Sequence, residues 1–472
     1  MAETVRPEPS PLYRWVVLIV ISIAMGGNYY IYDSINALER IFIDQLGFSA
    51  TQFGLLNTSY SAAAIATLIF GGILIDRLGV RKALLLFAVV CLFGALLTAA
   101  EGRAWTMIAG RTVLGLGAES LIVAVTAGLA KWFKGKELSF AFGVNLLIAR
   151  LASVAADNSP TWAKSVFYPN GVNEAASWRG PLLIAVAAGL ISVITSLIYW
   201  YLESNAESRY RLGVAGSVDK LDVKETFQFN TSYWYIVGLC VTFYSAIFPF
   251  RTFAIDLLSN KIAAAAGGAS ASVAIRNTAL SQAGFLNSIL PSTAMVATPL
   301  FGLLVDRVGK RALFMMLGSI LLMPVYLMLA YSPYTQTVVV HVPFVGVWSL
   351  PVYPMLAVSL MGIAFSLIPA VMWPSVAYIV KESRLGTAYA LMTFIQQIGF
   401  GVLNYLIGKA NDHSGAGLSN PGGYALGMWI FSVLGFVGLA FAILLRIRET
   451  GPQGHGLETI TTKTGMGAAE TV

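Results

Sequence analysis

Gly72-Ile-Leu-Ile-Asp76-Arg77-Leu-Gly79-Val-Arg81-Lys82 decides the fold. It returns in the second half of the chain as Gly302-Leu-Leu-Val-Asp306-Arg307-Val-Gly309-Lys310-Arg311. Each copy ends one long apolar run and starts another, so each reads as a short basic turn between two membrane helices. Gly79 and Gly309 permit a sharp reversal of the backbone. An aspartate at the C-terminal end of a helix meets the negative end of the helix macrodipole, which is unfavourable alone. Asp76 and Asp306 therefore need an offset. It comes either from Arg77, Arg81, Arg307 and Arg311 of the same turns or from the positive N-terminus of another helix.

The apolar runs around these turns fill the chain. Of its 472 residues 57% are hydrophobic and 11% charged, whereas a soluble domain carries about 25% charged residues. A bilayer core needs about 20 residues of helix. Twelve runs are long enough, near 14–36, 51–75, 83–101, 104–130, 137–162, 180–202, 232–254, 281–305, 312–331, 353–380, 386–409 and 423–446. The short alternating segments of a membrane barrel are absent. The reading is an all-α membrane protein of twelve spans in two pseudo-symmetric six-helix bundles, 14–202 and 231–446. A tail at 1–13, a charged linker at 203–230 and a polar tail at 447–472, expected to be disordered, complete the chain. The stretches 255–280, 332–352 and 411–422 read as long loops on the side away from the termini.

Basic residues orient the protein. Arg40, Arg103, Lys164, Arg179, Arg251, Lys261, Arg276 and Lys409 fall in loops on the far side by this map, and Arg111 and Arg150 inside spans. The remaining Lys and Arg lie on the side of the termini, which the positive-inside rule makes cytoplasmic. This distribution, not nucleic acid, accounts for the net charge of +7. Cys91 and Cys240 lie inside spans and read as small packing residues. The three histidines have no metal-ligand spacing, and no phosphate-binding glycine loop of the ATPase type is present. No metal, cofactor or enzymatic constellation is expected, and no cleavable leader is apparent.

Charges at membrane depth are costly and face the bundle interior. Span 4 carries Arg111 and Glu119, span 5 Arg150 and Asp157, and span 1 Asp33. Glu119 and Arg150 fall near the centres of antiparallel spans, hence near the midplane. Glu119 suits a substrate ammonium. Arg150 suits a carboxylate, whose two oxygens match the guanidinium fork. The competing reading pairs the two with each other as a structural ion pair. Tyr29, Tyr32, Asp33 and Asn36 follow helical spacing and form one face of span 1, expected to line the cavity, with an aromatic belt at the membrane interface as the competing reading. Tyr244, Trp373, Gln396 and Gln397 are further candidates for the cavity wall, with packing the alternative for Trp373. Arg111, Asp33 and Asp157 are candidates for proton coupling, with helix packing the alternative for Arg111. Gly115 and Gly117 suit close helix packing.

The repeated turn resembles the signature of the major facilitator superfamily. There it joins spans 2 and 3, and again 8 and 9, and helps shut the cytoplasmic side. Further stretches are more specific: Tyr32-Asp33, Gly117-Ala-Glu119-Ser120, Trp132-Phe-Lys-Gly-Lys136-Glu137, Ala149-Arg150, Phe248-Pro-Phe250, and Trp373-Pro374 through Gln396-Gln397. Together they resemble the lysosomal dipeptide transporter branch, over most of both halves. That resemblance implies facilitated transport of dipeptides, with Glu119 and Arg150 holding the two charged ends of the peptide. Animal members of the branch use an accessory subunit; nothing in this sequence shows such a partner, and a monomer or homodimer is expected. No lysosomal sorting signal is visible, so the cell inner (plasma) membrane is expected, or the lysosomal membrane in a eukaryote. The alternatives are a proton-coupled organic-anion carrier and a membrane receptor that does not transport.

Overall fold

A computed structural model describes residues 7–133, 137–212, 229–342, 346–381 and 384–461. Among the described residues, eleven helices are long and apolar enough to cross a membrane, or twelve with the bent pair Ala50–Leu68 and Phe70–Leu78 counted as one span. The first half comprises α1 (Pro11–Asp33), a short α2 (Glu39–Leu46), α3 (Ala50–Leu78), α4 (Val80–Ala100), α5 (Ala104–Phe133), α6 (Leu138–Asp157), the single turns α7 (Ser159–Trp162) and α8 (Lys164–Phe167), and α9 (Arg179–Arg209). The second comprises α10 (Thr231–Gly267), α11 (Val273–Val308), α12 (Arg311–Tyr331), the strands β1 (Thr337–Val342) and β2 (Gly346–Pro351), α13 (Val352–Ile379), α14 (Leu385–Ser414) and α15 (Ala425–Thr450).

The packing repeats between the halves. In the first, α1 packs on α6 and α9, α3 on α5, and α4 on α5 and α9. In the second, α10 packs on α14 and α15, α11 on α13, and α12 on α13 and α15. Small residues set these distances. A Cβ on Gly115 would lie 2.3 Å from the Tyr60 carbonyl oxygen, and one on Gly117 2.8 Å from Cys91 Sγ. Cys91 and Cys240 are both buried and unbridged.

Two seams join the halves, α3 against α14 and α6 against α11. Both are tight at the face away from the termini, here the far face. The Asp412 carboxylate accepts from the Ala50 and Thr51 amides at 2.7 and 2.8 Å and so caps the start of α3. Thr58 donates to the Gly401 carbonyl at 2.8 Å. A Cβ on Gly54 would stand 2.3 Å from the Asn404 carbonyl oxygen, on Gly408 2.4 Å from that of Ala50, and on Gly284 2.1 Å from that of Asp157. Backbone contacts that close admit glycine only. Gly54→Ala is therefore expected to leave each half folded but hold the far face apart. Cross-linking of cysteine pairs across the α3–α14 seam checks this, as a loss of far-face cross-links without a loss of folded protein.

Three stretches read as loops or tail differ in the structure. Residues 255–280 are almost wholly helical, because α10 runs on to Gly267 and α11 starts at Val273. The polar residues that end the hydropathy run are buried with partners. Asp256 accepts from the Tyr424 hydroxyl and from Asn260, and Lys261 donates to the carbonyls of Leu329 and Ala330. Residues 332–352 contain an antiparallel hairpin, Thr337 opposite Pro351 through Val342 opposite Gly346. The described part of the polar tail, 447–461, has a defined course. α15 runs to Thr450, Leu457 is fully buried, and the chain then crosses the second signature turn. There Lys310 and Arg311 donate their amides to the carbonyls of Glu458 and Leu457, and Glu458 Oε1 accepts from the Ala312 amide at 2.8 Å. Glu458 thus serves as a cap for the first turn of α12, where free amides and the dipole favour an acid. Glu458→Ala is expected to cost about 1 kcal/mol, the usual worth of such a cap, read as a lower melting temperature in detergent. Much of the linker, including Lys220 and Lys224, and the loop residues 134–136 lie outside the described residues.

At the turns themselves Gly79 has φ +76° and Gly309 φ +72°. Arg311 meets the Asp306 carboxylate at 3.1 Å, so here an arginine of the same turn offsets the acid. Arg311 also donates to the Ile460 carbonyl at 2.7 Å. Arg81 instead reaches Glu207 and Ser204 at the end of α9. Arg77 and Arg307 are exposed, Gly302 has open space around it, and Gly72 borders a cavity described below.

Candidate functional site

The halves enclose a cavity of about 130 Å³. α1 lines it with Asn28, Tyr29, Tyr32 and Asp33, α3 with Tyr60, α5 with Glu119 and Ile122, and α6 with Arg150. α10 supplies Phe248 and Arg251, and α14 supplies Thr393, Gln396, Gln397 and Phe400. A larger cavity, about 470 Å³, adjoins it at Glu119, Ile122 and Thr393. It runs toward the termini face between Thr67, Gly71 and Gly72 of α3, the Ser120–Ala130 stretch of α5, and Tyr389 and Ala390 of α14. The two together have the size of a small-solute site, about 300–1,000 Å³.

Glu119 and Arg150 form no ion pair with each other. Glu119 Oε1 accepts from the Tyr60 hydroxyl at 3.0 Å and from Gln397 Nε2 at 3.1 Å. Both donors are neutral. The Arg150 guanidinium lies over the rings of Tyr29, at 5.7 Å, and Phe365, at 5.6 Å. Among the described residues it has no carboxylate partner. Stacked arginine keeps its hydrogen-bonding edge free. Of the cavity's charged groups, Asp33 and Arg251 pair with each other, whereas Glu119 and Arg150 are each steadied by neutral groups.

The other candidates take different places. Tyr32 packs edge-on against Tyr60, with ring centres 4.7 Å apart. Trp373 donates to the Tyr244 hydroxyl at 2.8 Å, and Tyr244 stacks on Phe248. Trp373 and Tyr244 thus stand behind the lining as a support for Phe248. Gln396 lines the cavity and accepts weakly from Cys240 Sγ at 3.7 Å. Arg111 is 1% exposed and donates to the carbonyls of Ile31 and Tyr32, both at 3.2 Å, and to Asn57. It ties α1 and α3 to α5.

Asn36 and Arg251 depart from the sequence map. α1 ends at Asp33, so Asn36 lies in the following turn and not on the same helical face. Arg251 reads as a far-side loop residue but is 3% exposed inside α10. Its Nη1 meets Asp33 Oδ1 at 3.3 Å, and its Nη2 donates to Asp157 Oδ2 at 2.8 Å. Asn36 Nδ2 donates to both carboxylates, at 3.3 and 3.5 Å. Asp157 does not line the cavity, whereas Asp33 and Arg251 do. This cluster roofs the cavity on the far side and crosses from the first half to the second.

Asn28, Tyr60, Thr393 and Phe400 are lining residues that spacing alone did not single out. The polar run Asn57-Thr58-Ser59-Tyr60-Ser61 inside an apolar span is the signal that marks Tyr60, because lipid would leave those groups without partners.

The comparisons with known proteins agree with this architecture. A family model described as Major Facilitator Superfamily matches residues 16–275, and one described as MFS_1 like family matches 275–361. The lysosomal dipeptide transporter MFSD1 of Danio rerio is 32% identical over 412 residues, 86% of this chain and 82% of that one. The human protein of that name is 31% identical over 417 residues, with the same coverage. Among solved structures, a bacterial homolog of the human lysosomal transporter Spinster, inward-facing and occupied, superimposes with a TM-score of 0.68. It covers 93% of this chain and 97% of its own at 15% identity, which speaks to the fold alone. The nucleoside transporter NupG gives 0.67 at 13% identity, covering 90% and 98%. With its repeated turn, its two six-span bundles and these relatives, the chain belongs to the major facilitator superfamily of alternating-access transporters, in the branch of the lysosomal dipeptide transporters.

Proposed function

We propose that the protein carries dipeptides, or zwitterions of that size, with the substrate bridging Glu119 and Arg150. The observation that carries this reading is the presence of two opposite charges in one cavity, neither neutralised by the other. A buried charge without a partner is costly. A ligand bearing an ammonium at one end and a carboxylate at the other relieves both costs at once. Phe248, Phe400, Tyr29 and Ile122 give an apolar wall for side chains of varied size. The similarity to proteins named as dipeptide transporters supports the same class. The termini face is the cytoplasmic one on this reading, given its excess of Lys and Arg, and the cell inner membrane is the proposed site. Transport is facilitative, since the clamp needs no second ion to complete its charges.

Uptake of labelled alanyl-alanine into proteoliposomes tests the reading. N-acetyl-alanyl-alanine, which keeps the carboxylate and lacks the ammonium, is expected to compete at least about tenfold less well, the loss of one charged hydrogen bond of roughly 1.5–3 kcal/mol. Equal competition by the two peptides would remove Glu119 from the clamp. Equal competition by free monocarboxylates would point to an organic-anion carrier.

A further inference from the structure

The roof over the cavity combines one cation from the second half with two carboxylates from the first. Arg251 belongs to α10; Asp33 ends α1 and Asp157 ends α6. All three are nearly out of solvent, at 3, 2 and 0% side-chain exposure. Around Asp157 stand Arg251, Asp33 and Asn36, the Ser159 turn of its own half, and the backbone of α11 at Gly284. Around Asp33 stand Arg251 and Asn36, with Tyr32 beside it in α1, and Arg111 of α5, which is bonded to the carbonyls of Ile31 and Tyr32. Arg111 is already occupied with those carbonyls and with Asn57. No other cation reaches Asp157 among the described residues.

Alternating access requires this roof to open. When the halves part at the far face, Arg251 leaves with α10 while Asp33, Asp157 and Asn36 stay together. Asp157, held against Asp33 and one amide, then lacks its cation, while Arg111 stays beside Asp33. Two carboxylates that share one bridging amide are not both kept ionised cheaply, and one of them takes a proton. We infer that Asp33 and Asp157 form a proton-binding site of the far-open state, a site that Arg251 occupies when the far face is closed. The proton comes from far-side water and binds a carboxylate oxygen of Asp157, the member of the pair that does not line the cavity. It returns to far-side water when Arg251 re-enters, because Asp157 faces the seam and not the substrate cavity. No proton crosses the membrane, so the site sets how readily the far face opens and does not drive transport. Linkage fixes the sign. The far-open form binds one more proton than the closed form, so lower far-side pH favours opening, by at most about tenfold per pH unit for one proton.

The inference rests on alternating access and on the proposed carrier role, but its test needs no substrate. Spin labels at Asn170 and Ser270, exposed positions on the far side of the first and second halves, report far-face opening in nanodiscs by pulsed electron spin resonance. The open population of the otherwise intact protein is expected to rise severalfold from pH 8 to pH 5. In Asp157→Asn the population is expected to lose that dependence, and Asp33→Asn provides a second variant should the first fold poorly. An open population independent of pH in the intact protein would overturn the inference. So would an unchanged pH dependence in both variants, or opening that follows sodium concentration in place of pH. Failure of alanyl-alanine uptake would leave all these outcomes readable.

Discussion

Arg150→Ala is expected to abolish saturable uptake of alanyl-alanine. Removing one member of a desolvated charge contact costs about 2–5 kcal/mol, which is a fall in kcat/KM of at least about 30-fold. The side chain reaches the cavity from the middle of α6, held by the faces of Tyr29 and Phe365. No carboxylate of the described protein depends on it. Its removal should therefore leave the melting temperature in detergent nearly unchanged, and that separates a binding role from a structural one. Arg150→Lys is expected to fall between the two, since a lysine keeps the charge but loses the planar fork. If Arg150→Ala unfolded the protein as readily as it stopped uptake, the side chain would be a structural member of the bundle.

Arg251→Met is expected to have the opposite profile. It strands Asp33 and Asp157 in a closed, buried roof, and breaking a buried pair by removing one partner costs about 3–5 kcal/mol. The far face should open and the melting temperature should fall markedly. The triple change Arg251→Met with Asp33→Asn and Asp157→Asn should recover most of the loss, because a neutral roof has no stranded charge. Recovery in the triple variant is the decisive observation. A triple variant as unstable as Arg251→Met would assign the loss to packing of the guanidinium in α10.

The sequence makes the bundle readable and the roof unreadable for the same physical reason. Hydropathy is a one-dimensional quantity. It finds the spans and, with the repeated Asp-Arg turn, their duplication. It also exposes Glu119 and Arg150, since a charge in mid-span is conspicuous. Arg251, Asp256 and Lys261 follow one another near the end of an apolar run, and in one dimension they read as the start of a loop. In three dimensions each has a partner on another element: Asp33 and Asp157, the Tyr424 hydroxyl, and the carbonyls at the end of α12. A helix continues past charges that are satisfied from outside it, and single-chain periodicity carries no sign of those contacts. The tail is a similar case. Its polar composition reads as disorder, yet Leu457 and Glu458 find a buried site and a helix N-terminus on the second signature turn. Whether Glu119 and Arg150 pair was likewise open in the sequence. It depends on Tyr60, Gln397, Tyr29 and Phe365, which come from four other helices.

The measurement that bears most directly on the proposed clamp is alanyl-alanine uptake into proteoliposomes by the intact protein and by Arg150→Ala, with and without an imposed proton gradient at fixed far-side pH. Saturable uptake by the intact protein, absent in the variant and not concentrated by the gradient, is the predicted result. Uptake that survives in Arg150→Ala, or accumulation that requires the gradient, would contradict it.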